Sequence, residues 1–264
     1  MATRVKTVIG DACGHCGATM VARVSAGEVA PEAVEVYRGR RNRLFYLPPG
    51  TGGNDLGMPV NVKAFRVPPF PNGYVYRTFR HSKARRSFDN AMELRRLGFG
   101  TPLPLAYSEV HCGPWPGAWI KMTHSYYFCE QLPYPNVRNC ETRDDSHELT
   151  RALGCEMARL HRAGVWFHDF SPGNILVNRT AGDEYEFFYV DLNRMEFGVT
   201  DEKLLMLNFK SISWDIPWIG RLAREYAVAA GLDPEATSTE AMAIAREWQQ
   251  KHERKEHFKH MIGK

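Results

Sequence analysis

The sequence predicts an α+β fold with two lobes, a small β-rich N-terminal lobe with one helix and a mainly helical C-terminal lobe. Apolar and polar residues alternate in short runs between residues 33 and 65, which indicates strands because successive side chains of a strand face opposite sides. In the second half of the chain apolar residues recur at steps of three and four, the period of a helix. We place the boundary at a hinge, with residues 1–132 in the first domain and 133–264 in the second.

Length and composition indicate a globular chain: 264 residues with 44% hydrophobic side chains are enough to bury a core. No run of about 18 apolar residues occurs, and the first residues lack the apolar core of a secretion signal, so we expect a cytoplasmic protein. The net charge of +4 is modest, and we expect no nucleic-acid partner. Basic residues cluster near positions 38–41 and 83–86, where they are candidates for binding an anionic nucleotide or substrate.

The N-terminal lobe is expected to begin with a short strand and a helix within residues 1–30. Residues 33–37 and 43–47 alternate as the two strands of a hairpin, joined by the turn R-G-R-R-N. A loop rich in Pro and Gly follows at residues 48–59, and residues 60–65 form a third strand.

A helix is predicted to begin after Ser82, a residue type that caps helix N-termini, and to end at Gly98. We expect this helix, the one helix of the small lobe that follows its third strand, to have a regulatory position. The strand at residues 125–132 then leads into the hinge. Glu130 and Leu132 lie at the end of this strand.

The chemistry is predicted by the stretch V-W-F-H-D-F-S-P-G-N, residues 165–174, and by V-D-L-N-R further along. Asp169 precedes Asn174 in the first motif, a short strand follows, and a second strand ends on Asp191. This order is typical of a phosphotransferase: one carboxylate accepts the proton of an attacking hydroxyl, while an asparagine and a second aspartate hold Mg²⁺ on the nucleotide phosphates. A lone aspartate before Pro and Gly would indicate only a turn, but the three features in series predict an ATP-dependent kinase.

Lys63 lies in the predicted third strand, the position from which a kinase lysine binds the nucleotide phosphates. The hairpin turn before it is expected to cover those phosphates, with Gly39 and Arg40 as candidate nucleotide contacts. At the hinge, we expect backbone groups near Glu130 and Leu132 to meet an adenine edge. Because the turn has one glycine, backbone amides alone are insufficient to hold the phosphates, and either Arg40 or Arg41 is expected to assist.

With these residues in place, the chain resembles the lipopolysaccharide kinases, the Kdo and heptose kinases of Gram-negative envelope synthesis, within the protein-kinase-like superfamily. The resemblance spans roughly residues 60–197. Its motifs are S-K-A-R-R-S-F, L-G-F-G-T-P, S-Y-Y-F, L-H-R-A-G, D-F-S-P-G-N-I-L and V-D-L-N-R-M-E-F. The catalytic segment is specific to the superfamily, and the sequences S-P-G-N and D-L-N-R-M-E-F indicate the lipopolysaccharide branch.

The resemblance implies a role for each of the four polar residues. Asp169 would orient and deprotonate the acceptor hydroxyl, Asn174 and Asp191 would be the magnesium ligands, and Lys63 would bind the phosphates. Positioning and charge neutralisation would then supply most of the rate, and an all-oxygen ligand set suits Mg²⁺. The implied cofactors are ATP and Mg²⁺.

The chain departs from the superfamily pattern in three places. Phe167 replaces the usual histidine, and its ring is expected to pack under the metal loop. Asn193 stands where D-F-G has glycine, so we expect it to adopt the left-handed backbone that glycine would supply. The glutamate that pairs with the lysine would fall near Ser87, and Asp89 and Glu93 remain equal candidates for its role.

The leading functional hypothesis is a kinase that phosphorylates a Kdo or heptose hydroxyl of the lipopolysaccharide inner core. Its acceptor would be anionic and lipid-linked, which favours peripheral contact with the cytoplasmic face of the inner membrane. The alternatives are a kinase of the same fold for a small molecule or a protein, since fold does not determine substrate, and a nucleotide-binding pseudokinase.

Two further features have mainly structural interpretations. Cys13 and Cys16 form a C-x-x-C pair without further ligands for a zinc site, so they are either a coincidence or a reactive dithiol. His161 is expected to end the helix before the catalytic motif with a structural hydrogen bond. Further helices are predicted at 200–210, 216–231 and 238–257.

Overall fold

The computed structural model describes residues 2–39, 42–66, 81–113, 121–138, 146–182 and 184–261. The chain divides into two compact units. The first comprises Met1–Arg96 and Thr101–Pro133, and the second comprises Leu97–Gly100 and Tyr134–Lys264.

The first unit is built on a six-stranded antiparallel sheet. Its strands follow the order β1-β5-β6-β4-β3-β2. Their bounds are β1 Ala2–Ile9, β2 Val34–Arg38, β3 Asn42–Leu47, β4 Val60–Arg66, β5 Pro104–Gly113 and β6 Lys121–Glu130. Strand β4, which contains Lys63, is therefore an inner strand between β3 and β6.

Two helices cover the two faces of this sheet, α1 at Ala18–Ser25 and α2 at Lys83–Arg96. Ser108 of β5 contacts Ser25 of α1 through a 2.6 Å hydrogen bond, whereas the neighbouring Tyr107 packs on Phe88 of α2 with ring centroids 5.5 Å apart. Since adjacent side chains of a strand face opposite sides, α1 and α2 lie on opposite faces. Both faces of β5 are consequently buried.

The loop between β3 and β4 is organised by Asn54, which is fully buried. Its side-chain amide donates to the carbonyl groups of Leu47, Pro48 and Met58, and its Oδ1 accepts from the Leu56 amide. One side chain thus forms hydrogen bonds with four backbone groups in and beside a loop that has no β-sheet hydrogen bonds of its own. This loop delivers the chain to the start of β4.

The second unit contains four α-helices among the described residues, and α5 packs on both α3 and α6. Their bounds are α3 Ser146–Arg162, α4 Glu202–Met206, α5 Ile216–Ala230 and α6 Pro234–Met261. Trp218, fully buried on α5, donates its indole N–H to the Thr150 hydroxyl of α3 at 2.9 Å. Gly154 permits the close approach of α3 and α5, because a Cβ there would lie 2.7 Å from the Cβ of Glu225.

Two small antiparallel sheets complete this unit. They are formed by β7 (Trp166–Phe167) with β10 (Met195–Glu196), and by β8 (Ile175–Arg179) with β9 (Tyr185–Tyr189). The first pairs the segment before the predicted catalytic loop with the segment after Asp191. The second is the hairpin predicted between Asn174 and Asp191.

Residues 97–100 belong to the second unit although their neighbours on both sides belong to the first. The Arg159 guanidinium of α3 donates to the Gly98 carbonyl at 3.1 Å and lies 4.4 Å from the Phe99 ring centroid. The Gly100 carbonyl accepts from the Tyr189 amide at 3.0 Å. A Cβ on Gly100 would lie only 2.2 Å from the Phe187 carbonyl oxygen, so the contact requires glycine.

The α+β class and the two-lobe composition predicted from the sequence are confirmed. Ser82 caps α2 through its hydroxyl, which accepts from the Arg85 amide at 3.0 Å, as expected. The predicted hairpin, third strand and late helices are all present, with ends that differ by a few residues. The domain boundary at residue 132 stays a prediction. The sequence did not indicate that residues 97–100 belong to the second unit.

Candidate active site

The structure brings three of the four predicted side chains to one end of the β8–β9 hairpin. Ile175 pairs with Tyr189, so Asn174 directly precedes one strand where Val190 and Asp191 directly follow the other. The Val190 amide donates to the Asn174 carbonyl at 3.0 Å. The neighbouring β7–β10 pair ties the residues before Asp169 to those after Asp191.

Asp169 presents its carboxylate to solvent, with 53% of the side chain exposed. Its backbone carbonyl accepts from the Ser171 amide at 2.9 Å and from the Asn174 side chain at 3.0 Å. The turn is therefore fixed by its own backbone and by Asn174, while the carboxylate remains accessible. That arrangement suits a group that must meet an incoming alcohol.

Asp191 adopts a left-handed backbone, with φ 60°, and it is the one described non-glycine residue with positive φ. Asn193 was predicted to have this conformation, and that prediction is wrong: Asn193 lies in a 3-10 turn at Leu192–Arg194. Its side-chain amide instead donates to Asp191 Oδ1 at 2.6 Å. Strained backbone at a polar residue is characteristic of functional sites, and here Asn193 supports the strained aspartate.

The donor set at the hairpin end fits Mg²⁺. Asn174 uses its side-chain N–H₂ to donate to the Asp169 carbonyl, so the amide group is oriented with its oxygen available for a cation. Asp191 adds a carboxylate. Magnesium is commonly held by one or two protein carboxylates with phosphate oxygens and water completing the shell. No group of three or more His, Cys, Asp or Glu side chains suited to a metal occurs among the described residues.

Phe167 packs under this region, as expected from its place in the motif. Its ring lies 5.4 Å from that of Phe170 and 5.0 Å from that of Tyr189, and all three side chains are buried. Its carbonyl accepts from the Asn208 side chain at 2.6 Å. The residue two positions before Asp169 is thus held by both packing and a hydrogen bond.

His161 extends this support, and its predicted structural role is confirmed. One ring nitrogen, Nε2, lies 3.1 Å from Asn208 Oδ1, and Nδ1 lies 3.0 Å from the Tyr226 hydroxyl. Since Asn208 Oδ1 only accepts, Nε2 carries the proton and Tyr226 donates to Nδ1. Burial lowers the pKa of His161 to about 4, so the ring is neutral at pH 7.

Lys63 lies in the middle of β4, between Leu44 of β3 and Tyr127 of β6. Because Tyr127 also pairs with Tyr107, whose ring meets α2, Lys63 is on the sheet face that α2 covers. Its ammonium group lies 5.5 Å from the Phe65 ring centroid. The structure thus places Lys63 on the face that α2 covers, and its phosphate-binding role stays a prediction.

The two carboxylates proposed to pair with Lys63 make other contacts. Asp89 pairs with Arg85 at 3.3 Å, and Glu93 pairs with Arg96 at 2.6 Å, each on α2 itself. The hydrogen bond from Arg96 lowers the pKa of Glu93. Ser87, at the counted position, is buried. Neither candidate is selected by these contacts.

The predicted nucleotide contacts in the loops have their own internal partners. The Gly39 amide donates to the Asn42 carbonyl at 2.9 Å, closing the hairpin turn, and Arg40 lies outside the described residues. At the hinge, the Glu130 amide donates to the Leu103 carbonyl at 3.0 Å. The Leu132 carbonyl accepts from the neighbouring Gln131 side chain. Adenine recognition by Glu130 and Leu132 stays a prediction.

The two basic clusters are largely neutralised where the structure describes them. Arg38 is bound by Glu35 at 2.8 Å, and Arg85 by Asp89. Arg41, like its neighbour at position 40, lies outside the described residues.

Two arginines near the catalytic loop were missed by the sequence analysis. Arg194 Nη1 lies 3.2 Å from Asp169 Oδ2, and half of each side chain is exposed. Arg138 Nη2 lies 2.7 Å from the position that a Cβ on Gly173 would take. The R of V-D-L-N-R was a visible signal for the first, whereas nothing near Arg138 in the sequence marked the second.

The C-x-x-C pair has the features of a structural element. Cys13 is buried and Cys16 exposed, and both thiols are free. Burial raises the pKa of Cys13, and the nearby Cys16 adds to the effect. A thiol with a raised pKa is a weak nucleophile, which argues against a reactive dithiol.

The sequence profile of the Lipopolysaccharide kinase (Kdo/WaaP) family matches residues 70–216, more than half of the chain. The chain belongs to this family. The resemblance indicated by the motifs is confirmed, and this kinase is a phosphotransferase with an alcohol group as acceptor. The matched range includes Asp169, Asn174 and Asp191, while Lys63 lies before it.

Solved structures with similarity to this kinase are themselves kinases. A Rio2 kinase–ADP/Mg²⁺–phosphoaspartate complex from Chaetomium thermophilum is 16% identical, with a TM-score of 0.42, over 83% of this chain and 72% of that chain. A Stt7 homolog from Micromonas algae soaked with ATP is 13% identical, with a TM-score of 0.41, over 64% and 51%. No curated protein matches this kinase closely enough to count as a relative.

Among the described residues, none of the helices combines the length and the apolar character needed to cross a membrane.

Proposed function

We propose that this kinase transfers the terminal phosphate of Mg²⁺-bound ATP to a Kdo or heptose hydroxyl of the lipopolysaccharide inner core. The observation that carries the proposal is the convergence of Asp169, Asn174 and Asp191 at one end of the β8–β9 hairpin. The chain belongs to a family of lipopolysaccharide kinases, and we therefore assign this group the roles of a base and two magnesium ligands.

Each residue has a distinct role in the proposed transfer. Asp169 accepts the proton of the acceptor hydroxyl as its oxygen attacks the terminal phosphate of ATP. Asn174 and Asp191 hold the magnesium ion that neutralises the nucleotide phosphates when it is bound. Lys63 supplies a further positive charge for those phosphates from its own unit of the fold.

The surroundings of Asp169 favour an anionic acceptor. Arg194 contacts the Asp169 carboxylate, and Arg138 lies against Gly173 in the same loop. Both guanidinium groups therefore lie beside the loop that contains Asp169. Inner-core sugars carry carboxylate and phosphate groups that such cations bind well, whereas a neutral or cationic acceptor would gain nothing from them.

A lipid-linked acceptor requires the kinase to work at a membrane surface, and we propose peripheral association with the cytoplasmic face of the inner membrane. The end of α6 supports this proposal. Arg254, Lys255, Phe258 and Met261 are exposed there, and Phe258 and Met261 are among the exposed large apolar side chains. Basic residues beside apolar ones favour an anionic lipid surface.

The test is phosphate transfer from ATP to Kdo-lipid A by the wild-type protein and the Asp169→Asn variant, with and without Mg²⁺. The variant keeps the size of the side chain but removes the base, so we expect the rate to fall at least about 100-fold. Omission of Mg²⁺ should abolish transfer by the wild-type protein.

The matched control is Glu184→Gln, which removes an exposed carboxylate from the far end of the same hairpin. Its rate should equal that of the wild-type protein. Transfer to a protein or small molecule but not to Kdo-lipid A would replace the acceptor in the proposal. Nucleotide binding without transfer to any acceptor would show a pseudokinase and refute the proposal.

A further inference from the structure

A cavity of about 270 Å³ lies on the face of the six-stranded sheet opposite Lys63. Ala64 lines this cavity, and it follows Lys63 on β4, so the two side chains face opposite sides. Tyr126, which also lines it, is the partner of Ala64 on β6, whereas Tyr127 is the partner of Lys63. The cavity therefore belongs to the face that α1 covers, opposite Lys63, and it shares Gly39 with the hairpin turn predicted to contact the nucleotide.

The hollow forms because Ala64 is small and its neighbours are large. Arg43 pairs with it on β3, Tyr126 pairs with it on β6, and Arg66 follows two residues along the same strand. Further along this face, Val62 and Phe128 are buried in the core that α1 completes. Helix α1 ends at Ser25, so the region over Ala64 is left uncovered by that helix.

The described lining carries two guanidinium groups and no carboxylate. Arg43 lies 5.1 Å from the Phe45 ring centroid, and Glu35, which is outside the cavity, binds it through Nε alone. Arg66 makes no ion pair with any described residue. Two cations at diagonal positions on adjacent strands repel each other unless an anion lies between them.

The remaining polar groups suit the hydroxyls and ring of a sugar. Asn42 lines the cavity, and its Oδ1 is buried without a hydrogen-bond partner among the described residues, so a rotation of the side chain that turns this oxygen into the cavity would let it accept from a hydroxyl. The His124 and Tyr126 rings are nearly parallel, with centroids 6.3 Å apart. Burial and the adjacent Arg66 lower the pKa of His124, which leaves the positive charge on the arginines.

We propose that this pocket binds a phosphorylated sugar, with Arg43 and Arg66 on the phosphate and Asn42 on a ring hydroxyl. Guanidinium groups bind phosphate with paired, charge-assisted hydrogen bonds. The volume suits one monosaccharide, since pockets for larger drug-sized ligands begin at about 300 Å³. The ligand is either a soluble sugar phosphate or the phosphorylated sugar headgroup of a glycolipid.

The test is calorimetric titration of the full-length protein with glucose 6-phosphate, glucose and inorganic phosphate. We expect saturable binding that is tightest for glucose 6-phosphate. Arg66→Ala should weaken this binding about tenfold or more, because one charge-assisted contact is lost. Ala64→Leu should abolish it by filling the hollow.

Two controls separate this pocket from the predicted nucleotide site and from general charge effects. Lys63→Ala changes the neighbouring residue on the opposite face of β4 and should bind glucose 6-phosphate as the wild-type protein does. Arg23→Ala removes a cation of α1 that pairs with Glu28 outside the cavity, and it should also have no effect. Loss of binding in Lys63→Ala, with wild-type binding in Ala64→Leu, would overturn the proposal.

A second arm identifies the source of the ligand. Phosphatidylcholine vesicles containing lipid A, a phosphorylated glycolipid, replace the soluble sugar in a cosedimentation assay. Binding that Arg66→Ala and Ala64→Leu both weaken, without a calorimetric signal for the soluble sugar, would assign the pocket to a lipid headgroup. If neither variant changes binding in either assay, the pocket does not recognise a phosphorylated sugar.

Discussion

Asp191, rather than Asn193, has the left-handed backbone that a simple motif comparison predicts for Asn193. The left-handed backbone belongs to the aspartate, and the asparagine stabilises it by donating to its carboxylate at 2.6 Å. Aspartate tolerates this conformation better than most side chains because it is short and polar. The proposed metal ligand lies just after β9, at the end of the hairpin where Asn174 directly precedes β8.

Arg194 is the residue near Asp169 whose role is most open to test. We expect Arg194→Ala to lower kcat/KM at least about tenfold, because the guanidinium positions the base and lies where charge develops during transfer. The free energy of unfolding should change by less than about 1 kcal/mol, since the ion pair is half exposed. Steady-state kinetics and urea titrations measure the two quantities.

The control for this prediction is Arg179→Ala, a comparably exposed arginine on β8 that pairs with Glu148 at 3.5 Å. It should leave kcat/KM unchanged. Equal losses of activity in both variants would indicate a general charge effect and contradict a specific role for Arg194.

His161 predicts how stability depends on pH. Its folded-state pKa of about 4 lies below the ordinary histidine value, so protonation favours the unfolded chain. The contribution of the neutral ring is complete above about pH 6.5 and is lost as the pH falls towards 4, a change of roughly 3 kcal/mol in the free energy of unfolding.

Comparison with His161→Gln isolates this contribution from those of other groups. The difference in unfolding free energy between the wild-type protein and the variant should shrink between pH 7 and pH 4.5, as measured by urea titration. A difference that stays constant over this range would mean that His161 does not titrate with a depressed pKa.

At the scale of elements, the β8–β9 hairpin and the segment at residues 97–100 depend on each other. Gly100 forms an isolated bridge with Phe188, and its carbonyl accepts from Tyr189 at the end of β9. Tyr189 of β9 packs in turn on Phe167 and Phe170 beside the loop that contains Asp169. The hairpin is thus supported along β9 by the segment at residues 97–100 and by aromatic packing on Phe167 and Phe170.

Gly100→Ala tests this support. The added Cβ would lie 2.2 Å from the Phe187 carbonyl oxygen, so the backbone must shift. We expect a loss of about 2 kcal/mol or more in the free energy of unfolding, measured by urea titration.

The control for the hairpin is Gly182→Ala in its exposed turn, where the nearest atom would be 3.9 Å away. This change should stay within about 0.5 kcal/mol of the wild-type protein. A similar loss in both variants would show that the close contact at Gly100 is not the cause of the destabilisation, since the space around Gly182 is open.

At the scale of the whole molecule, the proposed membrane contact predicts salt-sensitive binding to anionic vesicles. Lys255→Glu combined with Phe258→Ser should weaken cosedimentation with phosphatidylglycerol vesicles, since each cation near an anionic surface contributes about 1 kcal/mol. Phosphatidylcholine vesicles should bind weakly, and added salt should release the protein.

Val228→Ser is the control for that experiment, because it removes an exposed apolar residue from α5 instead of α6. It should bind as the wild-type protein does. Binding that resists high salt, or that both variants weaken equally, would contradict peripheral association through the end of α6.

Much of the fold and part of the site could be predicted from the sequence. The strands around Lys63, the cap at Ser82 and the hairpin before Asp191 follow from local periodicity and local hydrogen bonds, which neighbouring residues encode. The carboxylates of α2 show the limit of this approach. Asp89 and Glu93 pair with arginines one turn away, an outcome that helical spacing permits but that counting positions from a distant motif does not reveal.

By itself the sequence determined the order and type of the elements, and its motifs indicated the kinase family and the polar residues proposed for its site. The tertiary structure alone decided that Arg194 meets Asp169, that Asp191 takes the left-handed backbone, and that a hollow opens over Ala64. The physical reason is the separation along the sequence of the residues that interact. Periodicity records which face a residue occupies, whereas these features depend on which residues from distant segments are brought into contact.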